Sequence, residues 1–289
     1  MPIRTLWSAI IVLATIGIVS GLYMGMETLA PGIDGGIARK FRLYTFATHL
    51  HGVAMGLSLP VAAIGGLTCF LLADRKIADA AKLALNLCGY VMISLAFVAL
   101  AFSEALQAFM ASYDNLAVPA ASAILVLLLL LRHPDRNASA VLFFGACLVP
   151  ALFYVVATQG VFSSDADSIW ADTHVATGLL HLIGLGLTLL FFACLSVWSY
   201  ARGARLNLWI TAAYVAGLLV IARFHIAAHI SAGLAGMPRG YADYPQSFAP
   251  TMSVATWTGW LYTAVLIAGV VRFIYALWSR DRSSAADVF

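Results

Sequence analysis

Long apolar stretches alternate with short polar segments along the chain. Eight of them are long enough to cross the roughly 30 Å hydrocarbon core of a bilayer, which takes about 20 helical residues. These stretches cover residues 6–27, 44–73, 82–112, 116–132, 138–160, 173–201, 207–234 and 252–278. The pattern predicts an all-α integral membrane protein, a bundle of about eight transmembrane helices.

Composition supports a single transmembrane domain that spans residues 1–289. The mean hydropathy is +0.93 and 10% of the 289 residues are charged, which leaves no room for a sizeable soluble domain. No internal repeat or linker divides the chain. The lipid bilayer is therefore its expected surrounding.

Basic residues predict the orientation of the bundle, because Lys and Arg collect in the short cytoplasmic loops of membrane proteins. With the N-terminus inside, eleven of the sixteen Lys and Arg residues lie on the cytoplasmic side. Both termini are then cytoplasmic, and the segments 163–172 and 233–245 lie in external loops. The net charge of +3 follows from this topology and does not indicate a nucleic-acid partner.

Histidine is the residue type that points to chemistry. Six of the seven histidines fall near the external ends of predicted helices: His49, His51, His174, His181, His225 and His229. The seventh, His133, lies in the polar segment RHPDRN, where we expect it to be solvated. Histidine inside a bilayer is costly and usually faces a bundle interior or a functional site.

Two of these histidines share one depth in the membrane. At 1.5 Å per residue, His51 and His181 lie about 10 and 12 Å into their helices. Two imidazoles at one depth on different helices are the arrangement that bis-histidine haem ligation requires. No Cys-x-x-Cys-His segment is present, so a haem would be bound non-covalently. Hydrogen bonds to backbone carbonyls where helices pack remain the alternative.

Glycines surround His181 and are compatible both with a haem site and with a close helix contact. Gly178, Gly184 and Gly186 make room either for a large planar ligand or for the close approach of another helix.

The other external histidines have several open roles. His225 and His229 are four residues apart and share one helix face, and His174 precedes His181 by seven residues. With Asp172, these three histidines could form an external metal site. They could also donate hydrogen bonds to haem propionates, or pack as ordinary polar contacts between helices.

Three segments carry a family resemblance. THLHGVAMGLSLPVAAIGG (48–66), DTHVATGLLHLIGLGLTLLFF (172–192) and GLAGMPRGYADYP (233–245) resemble subunit I of haem–copper oxidases, in the same order and with the same topology. The resemblance implies that His51 and His181 are the axial ligands of one low-spin haem, here a haem b. It implies that Arg239 binds a haem propionate on the outer side.

The chain also departs from that family. Leu179 occupies the position of the histidine that holds the oxygen-reactive haem, and leucine cannot coordinate iron. Gly240 replaces a second propionate-binding arginine, and Ala171 replaces a histidine that precedes the acidic position matched by Asp172. The copper-ligand motifs are missing, so copper is not expected.

These features predict a b-type cytochrome of a bacterial inner membrane, which carries electrons in a respiratory or related redox chain without an oxygen-reduction site of its own. A c-type cytochrome or another membrane redox subunit would be its partner. A non-redox accessory, assembly or sensor subunit of a respiratory or nitric-oxide-handling complex is the alternative. A terminal oxidase is the third candidate, against which the missing reactive-haem ligand argues, so enzymatic activity stays open.

Overall fold

The computed structural model describes residues 4–30, 138–160, 172–201, 206–238 and 246–286. It also describes 43–44, 46–48, 50–52, 54–55, 162 and 169–170. Outside these residues lie Arg239, Gly240, Ala171, His49 and His133.

Five long helices make up most of the described chain. They are α1 (Arg4–Leu29), α2 (Ala138–Gly160), α3 (His174–Ala201), α4 (Leu208–Leu234) and α5 (Ala249–Ala286), and a short 3-10 turn at Gln246–Phe248 precedes α5. The described residues from 43 to 55, which include His51, are helical as well.

All five helices are long and apolar enough to cross a membrane. The prediction of an all-α fold is thereby confirmed for the described part of the chain, and long apolar helices occur there at the predicted spans 6–27, 138–160, 173–201, 207–234 and 252–278. The spans at 82–112 and 116–132, and much of 44–73, lie outside the described residues. The total of eight helices and the cytoplasmic termini stay predictions.

Local sequence explains where α4 begins and ends. Asn207 caps its first turn, because the side-chain oxygen accepts a hydrogen bond from the Ile210 amide at 3.2 Å. Gly236 follows the last turn with φ +85°, a left-handed conformation that glycine adopts without strain. The Gly236 amide donates to the Gly233 carbonyl at 2.9 Å and the Met237 amide donates to the Ala232 carbonyl at 3.0 Å, so the chain turns back sharply.

This turn is joined to the first residues of α3. Thr173 and Pro238 form an antiparallel bridge, and the His174 amide donates to the Met237 carbonyl at 3.1 Å. The start of α3 therefore lies beside the end of α4, as expected for two antiparallel neighbours joined by a short loop.

Glycines allow α3 and α4 to pack very closely at this end. A side chain at Gly233 would collide with the Val175 amide nitrogen, and one at Gly178 would lie 2.6 Å from Ile230. Small residues that let backbones approach are typical of helix contacts in membranes. Gly178 therefore serves helix packing, whereas a side chain at Gly186 would make an ordinary contact with Pro150 of α2, at 3.6 Å.

An apolar core joins α2, α3, α4 and α5 toward the other end of these helices. Its centre is aromatic: Phe143 and Phe192 stack at 5.4 Å between ring centres, and Phe192 and Phe273 stack at 5.5 Å. The Tyr214 ring packs edge-on against Phe192 at 5.5 Å. Phe192 is eleven residues beyond His181 on α3, which places the two about 16 Å apart along the helix.

Candidate functional site

Five histidines come together near the start of α3 and the end of α4: His51, His174, His181, His225 and His229. We call them the histidine cluster. The shortest distances between ring centres are 4.5 Å from His181 to His225 and 4.8 Å from His225 to His229. His181 lies 5.1 Å from His229 and 6.4 Å from His51, and His174 lies 5.2 Å from His229.

Helical spacing explains how α3 and α4 supply four of these rings. His225 and His229 are one turn apart on α4, and His174 and His181 are two turns apart on α3. Because α3 and α4 are antiparallel, the first histidine of α3 meets the last histidine of α4, and His181 meets His225. The sequence predicted the shared faces but not this pairing.

Hydrogen bonds determine which nitrogen carries the proton in three of the rings. The Nδ1 atoms of His51, His181 and His225 lie 2.7 to 2.8 Å from the carbonyl oxygens of Gly17, Thr177 and Ala255, respectively. A carbonyl oxygen only accepts, so each Nδ1–H is the donor. In the neutral imidazole this leaves the lone pair on Nε2, the form that binds a metal.

His174 and His229 bond to each other. Their Nδ1 atoms are 3.0 Å apart and the ring planes differ by 1°. Both rings are buried, with 6% and 8% of the residue exposed. The ring centres are 5.2 Å apart, which is close to the Nδ1–Nδ1 distance of 3.0 Å plus the radii of the two rings. The two nitrogens therefore point at each other, as in a linear N–H···N hydrogen bond. Donation from His229 leaves its Nε2 with a lone pair.

Three of the histidines bring their ligand atoms to one place. One ring nitrogen each of His181, His225 and His229 lies within 4.8 Å of the others. Within the described ranges, neither a carboxylate nor a thiol belongs to this group. Asp172 is exposed at the start of α3 and does not join it. An all-imidazole set suits zinc, copper, iron and nickel rather than magnesium or calcium.

Two glycines on other helices hold rings of the cluster, a feature that sequence reasoning missed. A side chain at Gly21 of α1 would lie 3.0 Å from His51, and one at Gly259 of α5 would lie 2.9 Å from His225. The rings therefore rest directly on these helices. Only the absence of a Cβ permits this contact, and nothing in the spacing of either glycine indicated which ring it would meet.

Leu179 lies in a small apolar cluster rather than among the ligand atoms. It is buried together with Tyr154, Phe162 and Val175, and Trp170 and Ile230 pack against the group. Leu179 is therefore used for packing.

The loop between α4 and α5 is described at residues 235–238 and 246–248. Met237 is buried, at 1% exposure, against Ala232 and Met252, and Pro238 follows it in the bridge to Thr173. Arg239 lies outside the described residues, so its expected contact with a propionate stays a prediction.

Comparison of the chain with protein-family models and with curated proteins gives no match. The resemblance to subunit I of haem–copper oxidases therefore rests on the three quoted segments alone.

Proposed function

We propose that the chain is a membrane-bound b-type cytochrome that carries electrons, with one haem b whose iron is bound by Nε2 of His51 and Nε2 of His181. The distance of 6.4 Å between these ring centres is the observation that carries the proposal. With metal–imidazole bonds of about 2 Å, two rings on opposite sides of one iron have centres about 6 Å apart.

The proton positions fit the same ligand pair. Both Nδ1–H groups donate to backbone carbonyls, of Gly17 on α1 and of Thr177 on α3. Such bonds fix the tautomer and the orientation of a metal-binding imidazole and raise its basicity. With the proton on Nδ1, the lone pair on Nε2 of His51 and of His181 is available to a metal, which supports the proposal.

A haem with both axial positions filled takes up and releases one electron with little rearrangement of its ligands. His51 and His181 would hold the iron, and the segments that carry them are apolar. On the external side, Arg239 is proposed to bind a propionate through its planar guanidinium. Leu179 adds no ligand for a second, oxygen-reactive iron, which supports electron transfer rather than oxygen reduction.

The proposed setting is a bacterial inner membrane with both termini in the cytoplasm. The haem edge would then lie near the external surface, within reach of a c-type cytochrome or another membrane redox subunit.

The test is a reduced-minus-oxidised optical spectrum of the purified chain, with haem and metals quantified and carbon monoxide added afterwards. We expect one low-spin haem per chain, no copper and no response to carbon monoxide. His51→Ala and His181→Ala should each abolish the spectrum, whereas His133→Ala should leave it unchanged. Retention of the spectrum in both single variants would sink the ligand assignment. A chain without haem would instead favour the non-redox accessory role.

A further inference from the structure

We propose that His181, His225 and His229 form a second binding site, for a single late first-row transition-metal ion, that is used when no haem is bound. The site rests on the geometry of α3 and α4. Only its relation to haem rests on the proposed function, since both ligands would need Nε2 of His181.

Distance is the first argument. The three ligand nitrogens lie within 4.8 Å of one another. In a tetrahedral site with bonds of 2.0–2.1 Å, two ligand nitrogens are about 3.3 Å apart. If side-chain rotation moves each ligand nitrogen by about 1 Å toward the centre of the group, the distances fall from 4.8 Å to about 3.3 Å. The backbones of α3 and α4, which are in close contact at Gly178 and Gly233, need not move.

Protonation is the second argument. Each of the three rings has a partner for Nδ1: Thr177 for His181, Ala255 for His225, and His174 for His229. With donation from Nδ1 in each case, the lone pair of each ring lies on Nε2, the nitrogen that a metal ion would use. Second partners of this kind accompany nearly every metal-binding histidine. His174 is therefore a positioning residue for the site.

Charge decides what kind of ion fits. Three neutral imidazoles bring no negative charge, and the described part of the group contains no carboxylate. A buried divalent ion would be costly without a counter-charge. Three protein ligands leave a fourth position open, as in catalytic zinc sites, and we expect a small anion such as hydroxide or chloride there. Zinc, copper, cobalt and nickel ions suit such a site.

The experiment uses the full chain, purified without a polyhistidine tag from cells depleted of haem, and titrated with Co²⁺ while the visible spectrum is recorded. We expect one Co²⁺ per chain with the intense absorption of four-coordinate cobalt. His225→Ala and His229→Ala should weaken binding at least about 100-fold, since loss of a partner to a ligand alone costs 10–100-fold. Loading with haem should abolish the cobalt spectrum.

His51→Ala is the matched control. It should bind Co²⁺ like the parent chain but bind no haem. His225→Ala should bind haem but bind Co²⁺ only weakly. Circular dichroism verifies that each variant keeps its helices, and His225→Gln replaces His225→Ala if that variant does not fold. Absence of Co²⁺ binding, or binding that His225 and His229 variants leave unchanged, would overturn the site. Haem binding that survives in His51→Ala would instead overturn the axial assignment.

Discussion

The same helices form an aromatic core at one end and the histidine cluster at the other. The rings are spaced alike at the two ends, but different interactions fix their positions. At the aromatic end, Phe143, Phe192 and Phe273 have ring centres 5.4 to 6.3 Å apart. In the histidine cluster the ring spacings run from 4.5 to 6.4 Å. Ring spacing alone therefore does not distinguish the histidine cluster from the aromatic core.

Hydrogen bonds make the difference. The phenylalanine rings are held by burial and ring stacking, which need no particular partner atom. Each ring of the histidine cluster is oriented by one directed bond at Nδ1, to a carbonyl or to another imidazole. Substitutions at the aromatic end should therefore change stability, and substitutions in the cluster should change ligand binding.

The sharpest test of this contrast is His181, which belongs to both proposed ligand sets. His181→Ala should lose the haem spectrum and the Co²⁺ site together, because no other ring can replace Nε2 at that position. The measurements are the optical spectrum and the Co²⁺ titration. Phe192→Leu, on the same helix, is the control and should retain both. A His181→Ala chain that binds either ligand normally would remove His181 from that site.

The aromatic end should respond in the opposite way. Phe192 is almost completely buried, and Phe192→Ala should lower the free energy of unfolding by about 3–5 kcal/mol, the usual cost of an aromatic cavity. Unfolding in mixed micelles with increasing SDS measures the change. The fraction that stays folded should keep the parent haem spectrum. Loss of haem without loss of stability would mean that the two ends are not separable.

His174 tests whether a bond between two imidazoles orients a ligand. His174→Ala should weaken Co²⁺ binding to the haem-free chain by about 10–100-fold, because His229 loses the partner that fixes its tautomer. His174→Asn, whose side-chain oxygen can accept from Nδ1–H of His229, should restore part of the affinity. Equal losses in the two variants, measured by the same titration, would argue for a purely steric role.

Two glycines allow the proposed haem and metal sites to be disturbed one at a time. Gly259→Ala would press a methyl group against His225 and should weaken Co²⁺ binding by about tenfold with little effect on haem. Gly21→Ala would press on His51 and should broaden or shift the haem spectrum while Co²⁺ binding stays. Gly217→Ala, where nothing lies within 4 Å, is the control for both. If Gly259→Ala and Gly21→Ala changed Co²⁺ binding and the haem spectrum to the same extent, the two sites would not be separate.

Much of the fold followed from the chain itself. Apolar length alone predicted the five described spans, since a helix that crosses hydrocarbon must satisfy its backbone internally. The end of α4 was also readable, because Gly236 and Pro238 interrupt the helical pattern. Depth along the helix placed His51 and His181 at one level, and their rings are 6.4 Å apart.

What the sequence determined by itself is the set of described helices and the faces on which the histidines of α3 and α4 lie, because both depend on the pattern within one segment. Only the tertiary structure decided that His225 bonds to Ala255 of α5, that His174 bonds to His229, and that Gly259 admits the His225 ring. These contacts join residues 30 to 55 positions apart. They depend on how closely and in which rotation two helices pack, which the side chains of both helices set together.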